Sequence, residues 1–394
     1  MKRSMAMRWC GLLLAGVLAT GLLQPGQARA QGGSVVESVA VYEFGRQITF
    51  AAQVQSAVPV QQATLVIIDQ AQVVSHVRPV SFTAGRSEFI FNTQQNKVRP
   101  FSQVSWYYQL TFTDGTTVQS PPQTLRYADN RFTWQTVEAG TLRLYWVQGD
   151  VAFGQAALNA ALTGLQTIGA LVPANLDQPI ELYLYPQQSD IAFLAGEAWE
   201  AGRAYPDLGV ALAVAEFDSN QSITLERRIP HELMHILLYR QLGTGYQNLP
   251  VWLNEGLATL AETNPTPDYE RALQDASARN ALIPLRDLCA SFPAEPASAF
   301  LAYAQARSFT TYLRDTYGAP ALLNLARAYA TGMDCDAGVQ GVLGLSLAEL
   351  DANWRTQALG QNALGAALGN IMPYLILLLV LIGVPLLAGA GKKK

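Results

Sequence analysis

Two textures of hydrophobic pattern divide the chain. Between residues 34 and 128 apolar and polar positions alternate with a period of two. The alternation is clearest in Val104-Ser105-Trp106-Tyr107-Tyr108-Gln109-Leu110-Thr111-Phe112. Successive side chains of a strand point to opposite faces, so this pattern marks strands with one face buried. Similar runs occur at Ile48-Thr49-Phe50-Ala51-Ala52 and Ala63-Thr64-Leu65-Val66-Ile67-Ile68, and Thr113-Asp114-Gly115-Thr116 has the composition of a hairpin turn. Short strands at this spacing predict an all-β sandwich of immunoglobulin or fibronectin type III style over residues 31–130.

Beyond residue 130 the periods mix. Leu142–Trp146 and Ile180–Tyr185 read as strands with a helix at about 153–171 between them, and the apolar run 209–215 reads as a third strand. A helical period then runs through Ile229, Leu233, Met234, Ile236, Leu237 and Leu238, and a second apolar helix begins near Val251. The polar, glycine-containing stretch 241–245 separates the two helices. From about residue 269 the pattern is helical, and Ser346 with Glu349 composes a capping box for the last of these helices. Residues 131–360 are therefore expected to form an α+β domain.

The flanks have a different composition. Lys2, Arg3 and Arg8 precede the apolar stretch 11–19, and Ala28-Arg29-Ala30 supplies small residues at cleavage positions, the order of a secretory signal peptide over 1–30. No charge occurs between Arg355 and Lys392, and 371–388 is apolar enough to span a bilayer despite Pro373 and Pro385. A transmembrane helix is expected at 368–390, with Lys392, Lys393 and Lys394 in a cytoplasmic tail at 391–394. The expected product is a single-pass membrane protein with its folded part outside the cell. Cys10 falls in the signal peptide, and Cys289 and Cys335 then form one pair, expected as a disulfide in an oxidising compartment. The net charge is −4, with Lys and Arg clustered only at the two ends, so no basic patch for nucleic acid is present.

Chemistry enters with histidine. The chain has 3 His, and two of them stand in His231-Glu232-Leu233-Met234-His235. In a chain so poor in His, chance would give this spacing in roughly one sequence in a thousand. On a helix, positions i and i+4 share a face, so both imidazoles can reach one metal ion while Glu232 lies beside it as a general base. Glu255, in the second apolar helix, offers a third ligand. Two His and one carboxylate leave a fourth position for water, the donor set of catalytic Zn²⁺.

With these residues in view the chain resembles the gluzincin (thermolysin-like) metallopeptidases, and among them the peptidase MA-like domains of bacterial envelope proteins. The resemblance rests on ERRIPHELMHILL, PVWLNEGLATLAE and, more loosely, AYAQARSFTTYLRDTYG, and extends over about residues 133–360. It implies His231, His235 and Glu255 as zinc ligands, Glu232 as general base, and Glu262 as the carboxylate that orients a ligand His. It also implies that Tyr303 stabilises the developing oxyanion, with Tyr246 and Tyr312 as rivals, His76 in the sandwich being a bystander. In such enzymes a strand placed like 209–215 edges the cleft and pairs with extended substrate, which makes this run a candidate substrate-binding edge; a buried sheet strand is the other reading of so apolar a run. That strand lacks the Gly-x-Met-Glu-Asn run with which aminopeptidases hold a free amino terminus. The implied activity is hydrolysis of a peptide or protein substrate, by an endopeptidase rather than an aminopeptidase. The competing expectation is a surface adhesion protein whose sandwich binds a partner and whose zinc domain is inert.

Overall fold

The computed structural model describes residues 33–173, 175–194 and 200–361; the expected signal peptide, transmembrane helix and Lys tail lie outside the described residues. Among the described residues no helix is long and apolar enough to cross a membrane.

The N-terminal region is two antiparallel sheets. One has the order β1 (Ser34–Glu43), β2 (Gln47–Gln55), β5 (Arg86–Asn92). The other runs β4 (Val74–Val80), β3 (Val60–Asp69), β6 (Gln103–Phe112), β7 (Thr117–Gln119), with β8 (Gln123–Arg126) also on β6. The alternating residues meet between the sheets: Ile48, Phe50 and Phe91 of the first share a core with Leu65, Ile67, Trp106, Tyr108 and Phe112 of the second. The expected turn joins β6 to β7, with Gly115 at φ 82°, where glycine avoids the Cβ clash.

The second region is built on a five-stranded mixed sheet. Its strands are β9 (Gln135–Ala139), β10 (Leu142–Trp146), β11 (Ile180–Tyr185), β12 (Gly202–Tyr205) and β13 (Val210–Val214). Their order is β12-β13-β11-β10-β9, with β10, β11 and β13 parallel to one another. Parallel neighbours require crossovers, and α1 (Val151–Gly169) supplies the one between β10 and β11. The short α2 (Gln188–Ile191) follows β11. Helices then accumulate on one side: α3 (Gln221–Leu242), α4 (Val251–Ala261), α5 (Asp268–Ala278), α6 (Pro296–Tyr317), α7 (Ala319–Ala330), α8 (Cys335–Leu343) and α9 (Leu347–Gln357). The capping box of Ser346 and Glu349 opens α9 as expected, and Cys289 is bonded to Cys335.

Both faces of this sheet are buried, which explains why its central strands read as continuous apolar runs. Leu182, Leu184, Ala211 and Ala213 face the helices. Tyr183, Tyr185, Val210, Leu212 and Val214 face the other way and join the core of the β-sheet region. The change of texture near residue 130 is thus no break in packing. The Phe101 ring lies 4.7 Å from Tyr183 and 5.8 Å from Tyr205, and Arg99 pairs with Asp207 across the same seam. Buried Asp129, between the two regions, takes a bidentate pair from Arg131 and a hydrogen bond from the Tyr185 hydroxyl.

One expectation is corrected. The strand at 209–215 does not edge the cleft: β13 lies inside the sheet between β12 and β11, all five of its residues buried. The edge is β12, four residues paired antiparallel to β13, which has too few apolar residues for its alternation to be read from the sequence.

Candidate active site

α3 carries the His-Glu-x-x-His run in its middle. Its apolar positions Ile229, Leu233, Met234, Ile236, Leu237 and Leu238 are all buried, so the helix is fixed on most of its circumference. The remaining stripe turns His231 and His235 toward α4 and Glu232 toward β12. Residues 243–248 form one 3₁₀ stretch that reverses the chain, and α4 returns with Asn254 and Glu255 in its first turns. Candidate metal-binding atoms of His231, His235 and Glu255 lie within 4.8 Å of one another, and among the described residues no other such group is present.

The imidazole orientations decide what this cluster can do. His231 Nδ1 lies 3.1 Å from Glu262 Oε1, and His235 Nδ1 lies 3.2 Å from Asn254 Oδ1 and 3.1 Å from the Tyr246 hydroxyl. Asn254 Nδ2 in turn donates to Tyr246 at 3.1 Å. With each Nδ1–H donating to an oxygen, the neutral form of each ring carries its lone pair on Nε2. Those two Nε2 atoms lie 3.3 and 3.8 Å from Glu255 Oε2. A tetrahedral ion with bonds of about 2.0–2.1 Å sets its ligand atoms about 3.4 Å apart, so this donor set fits zinc.

The same atoms make the site electrostatically tense. Burial alone would depress the His231 pKa, but contacts with Glu255 and Glu262 outweigh it and hold the ring well above its usual value. His235, with neutral partners at Nδ1, is held low by burial. Burial opposes ionisation of Glu255, yet the two His bring its pKa below the ordinary carboxylate value. At Glu232 burial, with Glu255 and Glu200 adding to it, outweighs the opposing pull of His231 and Arg203 and pushes the carboxyl up to about 8. A carboxyl group beside a three-donor cluster is the arrangement that general-base hydrolysis requires.

Proline has a structural part in this arrangement that the sequence reading missed. Pro230 sits inside α3 and has no N–H to give the carbonyl four residues back, that of Glu226. That carbonyl instead accepts from the Thr263 backbone N–H at 3.0 Å and the Thr263 hydroxyl at 2.9 Å. Thr263 directly follows Glu262, so the gap in the helix ladder anchors the residue next to the one on His231. The ring of Pro230 is accommodated by Gly164 of α1, where a Cβ would fall 2.7 Å from its Cγ. The signal was present as a proline within an otherwise helical run.

Of the three tyrosines, Tyr303 lies at the cluster, its hydroxyl hydrogen-bonded to Glu255 and its ring 6.1 Å from that of His231. Burial and the nearby carboxylates Glu255 and Glu232 keep that hydroxyl protonated far beyond neutral pH, as a donor must be. Tyr246 belongs to the His235 network, and Tyr312 lies against Phe309 and reaches Gln357. His76 packs on Phe91 in the sandwich. A cavity of about 940 Å³, lined by Tyr42, Phe44, Lys97, Arg131 and Phe193 among others, includes none of the cluster residues in its lining.

Comparison with known proteins gives the following. No curated protein sequence matches the chain. Among solved structures it is similar to a myokine at 8% identity and a TM-score of 0.21, over 24% of this chain and 96% of that one. It is similar to wild-type OgpA from Akkermansia muciniphila at 16% identity and a TM-score of 0.20, over 24% of this chain and 28% of OgpA. It is also similar to BC0361, a polysaccharide deacetylase from Bacillus cereus, at 7% identity and a TM-score of 0.21, over 50% and 66% of the two chains. Superpositions this loose bear on neither fold nor activity. The family comparison is of another kind: the peptidase MA superfamily profile matches residues 160–360, just over half of the chain and the stretch that holds the whole cluster. The chain belongs to the peptidase MA superfamily.

Proposed function

We propose that this protein is a zinc-dependent endopeptidase acting on proteins outside the cell, held at the membrane surface. The observation that carries the reading is the convergence of His231 Nε2 and His235 Nε2 on Glu255, each ring locked through Nδ1. In this reading His231, His235 and Glu255 hold the metal, and Glu262 and Asn254 fix the two rings. When bound, zinc supplies Lewis-acid polarisation of the substrate carbonyl and a lowered pKa for the attacking water. Glu232 accepts a proton from that water and returns it to the leaving amine, without a covalent intermediate. Tyr303 donates a hydrogen bond to the oxygen that gains charge as the carbonyl becomes tetrahedral. The edge strand β12 reads Gly202-Arg203-Ala204-Tyr205 and, like β13, lacks a Gly-x-Met-Glu-Asn run, which favours internal cleavage over removal of a terminal residue. The outside location is supported by the disulfide and by the apolar stretches 11–19 and 371–388.

The test uses residues 31–360 as wild type and as Glu232→Gln. Expected are one zinc in each by elemental analysis and cleavage of a mixed peptide library by wild type alone, lost on chelation and restored by zinc. Absence of zinc from both proteins would refute the reading. Zinc in both with no cleavage by either would favour the adhesion protein with an inert metal domain.

A further inference from the structure

The row of side chains that runs across the helix-facing side of the mixed sheet shrinks in one direction. By strand register it passes from Trp146 to Leu184 to Ala213 to Gly202, falling from the bulkiest side chain to none. At the wide end α1 accommodates the indole with a glycine of its own: a Cβ at Gly154 would fall 2.5 Å from Trp146. At the bare end the object against the strand is Glu232. A Cβ built on Gly202 would stand 2.2 Å from Glu232 Oε1, 2.9 Å from its Cδ and 3.2 Å from its Cγ. The next row, Leu144, Leu182, Ala211 and Ala204, also tapers but ends on a methyl group. Only the position that touches the carboxylate is reduced to hydrogen.

Two features separate this glycine from one kept for its backbone. Its φ is not in the left-handed region, so an L-residue could adopt its conformation, and it lies within a strand, where glycine weakens pairing. The other features of the site do not need it either: the Nδ1 partners of both imidazoles come from α4, from Glu262 that caps its C-terminus, and from residues 243–248. We propose that Gly202 is a positioning residue for Glu232, its missing side chain being the seat in which the carboxylate rests beside the metal cluster. This rests on the reading of Glu232 as the general base. Because the clashing atoms are the far end of a flexible side chain, a methyl at this position displaces the carboxylate and leaves the fold and the three metal-binding side chains in place. General bases act over hydrogen-bond distances, so a displacement of the order of an ångström removes much of a contribution of about 10²–10⁴-fold.

The experiment compares wild type, G202A, E232D and the double variant G202A/E232D, all loaded with zinc for peptide cleavage and with cobalt for absorption spectroscopy. Asp is one methylene shorter and withdraws the carboxylate from the added methyl. G202A is expected to keep full metal content and to lose about 10²-fold in kcat with little change in KM. In the E232D background the same substitution is expected to cost less than about threefold. Acetohydroxamate, whose bound form passes its proton to the base, is titrated into the cobalt proteins as a readout independent of turnover. G202A is expected to weaken its binding about tenfold in the Glu232 protein and not in the E232D protein. Equal losses in both backgrounds, or full activity and hydroxamate binding in G202A, would overturn the role of Gly202. If wild type binds metal and cleaves no peptide, the peptidase reading fails separately, and the hydroxamate comparison alone decides for or against the seat.

Discussion

At the scale of single residues the site is defined by what stands behind each imidazole. His231 is backed by a carboxylate and His235 by an amide and a phenol, so the two rings differ in basicity although they occupy equivalent helix positions. The carboxylate partner raises the donor strength of its ring toward a cation, and partners of this kind are typically worth 10–100-fold in metal affinity. Glu262→Gln keeps the shape and an oxygen acceptor for Nδ1–H but removes the charge. It is expected to weaken zinc binding by about tenfold, measured by competition with a chromophoric chelator. Asn254→Ala removes the Asn254 oxygen from His235 and leaves Tyr246 as its remaining partner, with an expected loss of similar size. If either substitution left the zinc affinity unchanged, the hydrogen bond at that Nδ1 would not be what orients the ring.

At the scale of elements, α3 and α4 are coupled by an absence. The carbonyl that Pro230 leaves free is the one on which Thr263 closes, and Thr263 carries Glu262 with it to His231. Pro230→Ala returns an N–H to the helix ladder, where it competes with both Thr263 donors for the Glu226 oxygen. Alanine favours a helix interior over proline by about 3 kcal/mol, so the metal-free protein is expected to unfold at the same or a higher temperature. Zinc affinity is expected to fall severalfold, as Glu262 loosens. A calorimetric scan beside a chelator competition separates these effects, and a joint fall of both quantities would make the proline a packing residue only. This coupling also shows where sequence reading stops. The apolar stripe of α3 and the spacing of His231, Glu232 and His235 are local, periodic signals, and they are visible in the chain itself. The placement of β12 at the edge and the service of Thr263 to Glu226 are contacts between residues far apart along the chain. No period announces them, and a four-residue edge strand with Gly202 and Arg203 in it has no alternation to read. Asn254 is silent in the sequence for a related reason: its neighbour Glu255 accounts for the motif, and a side chain that meets His235 only through the return of α4 has no signature of its own.

At the scale of the whole molecule, the β-sheet region is a wall of the enzyme-like half rather than an appendage to it. Phe101 stands at the junction, 1% exposed, with its ring against Tyr183, Tyr205 and Phe44. Its φ of 62° is one that a bulky residue adopts only where the surroundings impose it. Tyr205 belongs to β12, and Arg99 spans the same seam, lying over the Tyr205 ring and paired with Asp207 just beyond it. The edge strand that touches Glu232 is therefore clamped from the far side by residues of the sheet region. Removing residues 33–130 would expose the aromatic face made by Tyr183, Tyr185, Tyr205, Val210, Leu212 and Val214, an apolar patch that a soluble domain cannot leave uncovered. Phe101→Ala opens a cavity at the centre of this seam and is expected to destabilise the protein by about 3–5 kcal/mol. The decisive feature is how that loss is distributed. If the seam joins the two regions into one cooperative unit, chemical denaturation of residues 31–360 followed by far-ultraviolet circular dichroism and by tryptophan fluorescence gives coincident transitions. Phe101→Ala then moves both to lower denaturant together. Two independent transitions, with only the sheet region shifted, would mean that β12 keeps its place without the wall behind it. In that case the sheet region would be free to serve some purpose other than supporting the site.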